Sequence, residues 1–148
     1  MNRTARGDAA LAIAIELAHQ YKRGAVTGRE LAASAGVPAP FALQALGRLR
    51  RGGIVVARKG PAGGFSLSRP PARISAADVI EAVADLQEDR SPKRSSGREA
   101  TEISAMWANA ETAAQRILSG TTLANVAKFS RADKNTSPAT RREGNFRI

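Results

Sequence analysis

TGRELAASAGVPAPFALQALGRLRRGGIVVARKGPAGGFSLSRP, the run from Thr27 to Pro70, decides how the rest of the chain is read. Thr27 has the chemistry of a helix N-cap. Glu30, three residues on, completes a capping box in which each side chain closes a backbone N–H that the helix start leaves open. Leu31 and Ala32 supply a short apolar face. Ala35-Gly36-Val37 then breaks the helix, because Gly36 can take the positive φ of a sharp turn. A second helix is predicted to start at Pro38 or Pro40, since proline is tolerated in a first helical turn and not deeper. At 100° per residue, Ala42, Ala45, Leu46 and Leu49 fall in one inward stripe. Gln44, Arg48 and Arg51 fall on the other side, with Pro40 and Gly47 beside them. Gly52-Gly53 ends this helix. The β-branched run Ile54–Ala57 and the alternating run Phe65–Ser68 then flank a glycine-rich turn, which predicts a hairpin.

Helix, turn, helix and hairpin in this order are the sequence form of a winged helix-turn-helix. Its second helix has the side chains that a groove-reading element needs: Gln reads adenine bidentately, and Arg reads guanine or holds phosphate. An ordinary surface helix with a solvated basic side would show the same stripe, so the helix alone does not decide. The hairpin does. Arg58 and Lys59 stand at the mouth of a narrow glycine loop, suited to a minor groove and the phosphates beside it. A glycine loop that cradles a nucleotide phosphate needs a strand before it and a helix after it, and here a strand follows instead.

The chain has 148 residues, one domain's length. Residues 1–70 hold 11 Lys/Arg against 3 Asp/Glu, and residues 71–148 hold 12 against 10. The positive charge is thus concentrated where the motif lies, which favours a polyanion as partner. No run is long enough to span a membrane, and Met1–Asp8 leads into an Ala-rich helix rather than a signal peptide, so the expected location is cytoplasmic. The absence of cysteine excludes a disulfide, a thiolate nucleophile and a thiolate-ligated cluster. His19 is the single histidine; it has no cysteine or carboxylate beside it in sequence and reads as a packed or surface residue. Paired carboxylates, a nucleophile with its base and metal-ligand spacing are all missing, so the chain does not read as an enzyme.

Around the motif, Asp8–Tyr21 is apolar almost all round through Leu11, Ile13, Ile15, Leu17 and Ala18, a buried spine. After the stiff Pro70-Pro71 exit, Ser75 and Asp78 cap a third amphipathic helix whose Val79, Ile80 and Val83 face inward. Residues 86–98, LQEDRSPKRSSGR, have almost nothing to bury and read as a mobile loop. Glu99–Leu118 is the longest helix. Ile103, Met106, Ala110, Ala113 and Ile117 recur at three and four residues, and Trp107, Ala114 and Leu118 widen that seam. It either packs on its own domain or pairs two subunits. A short helix, TLANVAKF, follows, and residues 129–148 read as a basic, disordered tail. The organisation expected is a DNA-binding domain over 1–85, a loop over 86–98, a dimerisation region over 99–128 and a tail over 129–148. The fold class is mainly α with a small β-hairpin wing.

RLRRGGIVVARKGPAGGFSLSRPPARISAADVIEAV (Arg48–Val83), the start TARGDAALAIAIELA (Thr4–Ala18) and the later Met106-Trp107 and LSGTTLANV (Leu118–Val126) carry a resemblance. They resemble the Rrf-type (IscR/NsrR/CymR-like) family of bacterial dimeric winged helix-turn-helix regulators, from about Thr4 to about Lys128. GPAGGFSLSRP is the most specific part. The resemblance implies a homodimer on palindromic promoter DNA, with the longest helix pairing the subunits. It also implies that Arg3, Thr4 and Arg6, just before the first helix, hold backbone phosphate. Pro38, Ala39, Pro40 and Phe41 form the leading turn of the reading helix, where relatives often carry hydroxyls, and Leu43 stands where some use an acidic reader. Many members hold an iron–sulfur cluster on three cysteines near the loop. None is present here, so the chain resembles a cysteine-free branch and no cofactor or metal is expected.

The candidate DNA-contacting set is therefore Arg3, Thr4, Arg6, Thr27, Pro38, Ala39, Pro40, Phe41, Gln44, Arg48, Arg51, Arg58, Lys59 and Gly60. The candidate dimer set is Ile103, Met106, Trp107, Ala110, Ala113, Ala114, Ile117 and Leu118. The function expected is a sequence-specific regulator of transcription, a repressor that blocks a promoter in double-stranded DNA. The alternative is a winged-helix adaptor with weak, nonspecific DNA affinity and a protein partner.

Overall fold

In a computed structural model of the chain, which describes residues 3–84 and 98–136, six α-helices surround a two-stranded sheet. Helix α1 spans Ala5–His19, α2 Gly28–Ala35 and α3 Ala39–Arg51. Strands β1 (Val55–Arg58) and β2 (Gly64–Leu67) pair antiparallel, with Val55 opposite Leu67 and Arg58 opposite Gly64. A 3₁₀ turn, Pro71–Arg73, leads to α4 (Ala76–Val83); α5 spans Arg98–Gly120 and α6 Leu123–Thr136.

Local chemistry sets the helix ends. Both expected capping boxes are present, Thr27 with Glu30 and Ser75 with Asp78. Helix α1 starts earlier than Asp8 because Thr4 caps it, its Oγ1 accepting the Gly7 N–H at 3.0 Å, and it closes at His19 rather than Tyr21. Helix α3 begins at Ala39 with Pro38 as its cap, so Pro40 falls in the first turn, where its missing N–H costs nothing. Gly36 has φ 66° and ψ 31° and ends α2 in the left-handed conformation that the turn requires.

Helix α1 is the spine. It packs against α2, α3, α4, α6 and β2, which explains apolar residues on nearly every side. Ile13 and Leu17 meet Leu31 of α2, Leu46 and Leu49 of α3, Val55, Leu67, Ile74, Val79 and Leu123 in one buried cluster. Each such side chain contributes about 1.5–3 kcal/mol through removal from water.

The hairpin has a third partner that the sequence reading missed. Val26, just before α2, forms a bridge with Phe65: its N–H donates to Phe65 O at 2.9 Å, and Phe65 N–H returns to Val26 O at 2.7 Å. This ties the wing to the entry of the motif. It also explains Gly64, because a Cβ there would sit 2.5 Å from the Val26 carbonyl carbon and oxygen.

Two expected boundaries move. Arg98, placed at the end of the loop, opens α5, and the rest of the loop, residues 86–97, lies outside the described residues. Helix α6 runs to Thr136, so the expected tail is helical over its first eight residues, 129–136. After Gly120 the chain carries no further glycine or proline until Pro138, which gives the helix room to continue. Residues 137–148 of the expected tail lie outside the described residues. The two C-terminal helices dock through a small bridge in which Ala76 N–H donates to Thr121 O and Leu123 N–H to Ile74 O.

Candidate nucleic-acid interface

Helix α3 presents two faces, as its period requires. Ala42, Ala45, Leu46 and Leu49 are buried, while Pro40, Gln44 and Arg51 on the opposite side are exposed. The small alanines let α3 lie close on α1 and leave the polar side standing clear. Pro38, Ala39 and Phe41 of the leading turn are exposed too.

Arg48 departs from its expected place. It is half-buried, and its guanidinium donates to the Val83 carbonyl at the end of α4, at 3.0 Å. On the helical wheel it lies on the flank between the buried and exposed faces, near enough for its long stem to turn inward. It ties α3 to α4. Arg50, left out of the expected set, is exposed on the other flank. The run Arg48-Leu49-Arg50-Arg51 spreads three guanidiniums around the helix, and the packing of α4 decides which one turns in.

The wing carries its cations as expected. Arg58 is the last residue of β1, and Lys59 and Gly60 follow it into an exposed turn closed by the Gly63 N–H donating to Gly60 O at 2.9 Å. At the start of α1, Arg6 borders a small hollow with Phe41 and Gln44, so this end of α1 adjoins α3. Arg3 is 87% exposed and pairs with Asp8 at 2.8 Å. Such a surface pair is worth about 0–1 kcal/mol and gives way readily to a phosphate. Thr4 and Thr27 use their hydroxyl oxygens as helix caps, yet a hydroxyl that accepts still has its proton to donate.

His19 is buried, as one reading held, but it does have a carboxylate nearby: Glu16 Oε1 lies 3.8 Å from Nδ1, one helical turn back. Its Nε2 stands 3.1 Å from the Ala127 carbonyl, which can only accept, so Nε2 carries the proton and donates. The histidine joins α1 to α6.

On α5 the seam divides. Ile103, Met106, Trp107, Ala110, Ala113 and Ile117 are exposed, with Trp107 at 64% and Ile117 at 68%. Ala114 and Leu118 are half-buried on the side that packs against α4, where Gln115 Nε2 donates to Glu81 Oε1 at 3.3 Å. Those two are partly covered within the chain itself; the rest form an open apolar stripe.

A second motif helix with one polar face, a cationic wing beside it and a long helix with an open apolar stripe define a winged helix-turn-helix protein of the regulator type. The family model for Rrf2, the iron-dependent transcriptional regulators, matches residues 3–128, and the chain belongs to that family. The family is one of transcriptional regulators, not enzymes. A Neisseria meningitidis protein classed among helix-turn-helix regulators is 34% identical over 85 residues, a match covering 57% of this chain and 57% of that protein. The match thus spans little more than half the length of that curated relative. Two solved structures share the fold. IscR of T. potens has a TM-score of 0.74 at 22% identity, covering 93% of each chain. CymR of B. subtilis, described as its global cysteine regulator, has a TM-score of 0.70 at 24% identity, covering 87% of this chain and 98% of that one.

The family's description speaks of iron. The donors here do not fit an iron–sulfur cluster, since the sequence has no cysteine and the one histidine is spent between α1 and α6. Among the described residues no three His, Asp or Glu side chains gather as a metal group. Among them also, no helix is long and apolar enough to cross a membrane.

Proposed function

We propose that this chain is a sequence-specific repressor that binds a palindromic promoter site in double-stranded DNA as a homodimer. The observation that carries the reading is the exposed polar face of α3, Gln44 and Arg51, in a protein half that carries 11 basic against 3 acidic residues. Arg3, Arg6, Arg58 and Lys59 position the protein on phosphates, and Gln44 reads base edges in the major groove. The open stripe of α5 supports the pairing of subunits. Twenty-three helical residues extend about 35 Å, long enough for two copies to cross over several turns. Pairing places the two reading helices about 34 Å apart, one turn of B-DNA. A protein of this role acts in the cytoplasm, on promoter DNA.

Selection from a random duplex library at about 0.15 M salt, near physiological ionic strength, tests the reading. Recovery of a palindrome with half-sites one turn apart is the expected result. Retention that vanishes with salt and enriches no sequence would sink it, and would favour an adaptor whose α5 stripe takes a protein partner.

A further inference from the structure

Two large apolar side chains on α3 take little part in the fold. Phe41 is 54% exposed and Leu43 59%. By helical angle they flank the outer face on which Gln44 stands, one on each side. Phe41 lies toward α1, bordering the hollow with Arg6 and Gln44. Leu43 lies toward α2, where its Cδ2 is 3.3 Å from the place that a Cβ on Gly28 would take. The leucine thus lies close over Gly28 at the start of α2 while more than half of its surface stays open. The helix that carries the pair has three arginines and no acidic residue.

An apolar pair beside a hydrogen-bonding side chain, on a helix with cations only, matches the floor and rim of a major groove. The rim is phosphate, and the one apolar group that the floor offers is the C5-methyl of thymine. A protein partner would need apolar knobs inside an acidic ring, a less common surface. Resting on the reading above, we infer that Phe41 and Leu43 read thymine methyl groups, so that each half-site carries T·A pairs flanking the base pair read by Gln44. Specificity here then comes in part from shape and burial rather than from hydrogen bonds alone.

The test uses two random duplex libraries, one synthesised with thymidine and one with deoxyuridine throughout, which differ only in that methyl group. The expected result is a site recovered from the thymidine library with thymines on both sides of its central read position. Replacing one such thymine by deoxyuridine should weaken binding about four-fold, and replacing it in both half-sites about fifteen-fold, as loss of one buried carbon each time predicts. Leu43→Ala and Phe41→Ala should each weaken binding to the thymidine site and lose the penalty for deoxyuridine at one of the two flanks. Thermal unfolding, unchanged in both variants, shows that they are folded. A site bound equally tightly with deoxyuridine, or a penalty that both variants retain, would overturn the inference while leaving the regulator reading intact; the pair would then be a surface for a protein. Recovery of no site from either library would overturn both.

Discussion

Gly64 shows how one residue can be fixed by a neighbour far along the chain. Its φ is 144°, and a Cβ would meet the Val26 carbonyl at 2.5 Å and Thr27 N at 2.9 Å. Gly36 also has positive φ, at 66°, but nothing lies within 4 Å of the place its Cβ would take. Gly64→Ala should therefore cost about 2–4 kcal/mol in urea unfolding, by strain plus loss of the Val26–Phe65 bridge, and Gly36→Ala about 1 kcal/mol, by strain alone. Equal costs would mean that the bridge yields freely. Two polar residues differ in the same scale of detail. Lys59→Ala should weaken binding to every DNA sequence and lower the salt slope by about 0.9, whereas Gln44→Ala should change the preferred sequence and leave the slope alone. If both lose only uniform affinity, Gln44 is not the reader. Of the four arginines on α3 and the wing, the sequence pattern could not single out Arg48, whose role is decided by the Val83 carbonyl, 35 residues away.

At the scale of elements, the motif was legible and its connections were not. Both capping boxes, the inward stripe of α3 and the two-stranded wing follow from spacings of two to four residues, which one stretch of chain contains in full. Helix α6 was different. Its attachment rests on the His19 Nε2–H donating to Ala127 O across 108 residues, and on Leu123 and Ala127 turned into the core. His19→Leu keeps a similar volume and removes the donor, at a cost of about 0.5–1.5 kcal/mol, the net worth of one hydrogen bond. Hydrogen exchange should show the amides of α6 losing protection before those of α3. Uniform loss across the protein would mean that α6 unfolds only with the whole. The apolar run of α1 likewise has its reason at this scale, since five elements pack around it.

For the whole molecule, the proposed pairing of subunits rests on the open stripe of α5. Ile103, Met106, Trp107 and Ile117 each leave more than half their surface in water. An apolar stripe of this kind is a candidate interaction surface. Met106→Glu combined with Ile117→Glu places like charges in the seam. Sedimentation should then give half the mass of the parent protein, and a palindrome should be bound no better than a single half-site. A dimer that survives both charges would place the interface elsewhere. The division of charge matters at this scale too: with the basic excess in residues 1–70, subunits paired through α5 need not bring their most cationic parts together.

The sequence alone determined the capped starts of α2 and α4, the two faces of α3, the wing and the lack of thiolate ligands, because each depends on residue type and short spacing. It also carried the family resemblance over nearly the chain's full length, since the wing segment is a local pattern. Only the tertiary structure decided which polar groups were already spoken for: Arg48 on Val83, His19 on Ala127 and Val26 on Phe65. Those choices are made between elements distant in the chain. A carbonyl at the end of a helix, or a backbone N–H before one, is the same in every residue and leaves no mark in the sequence until packing brings its partner within about 3 Å.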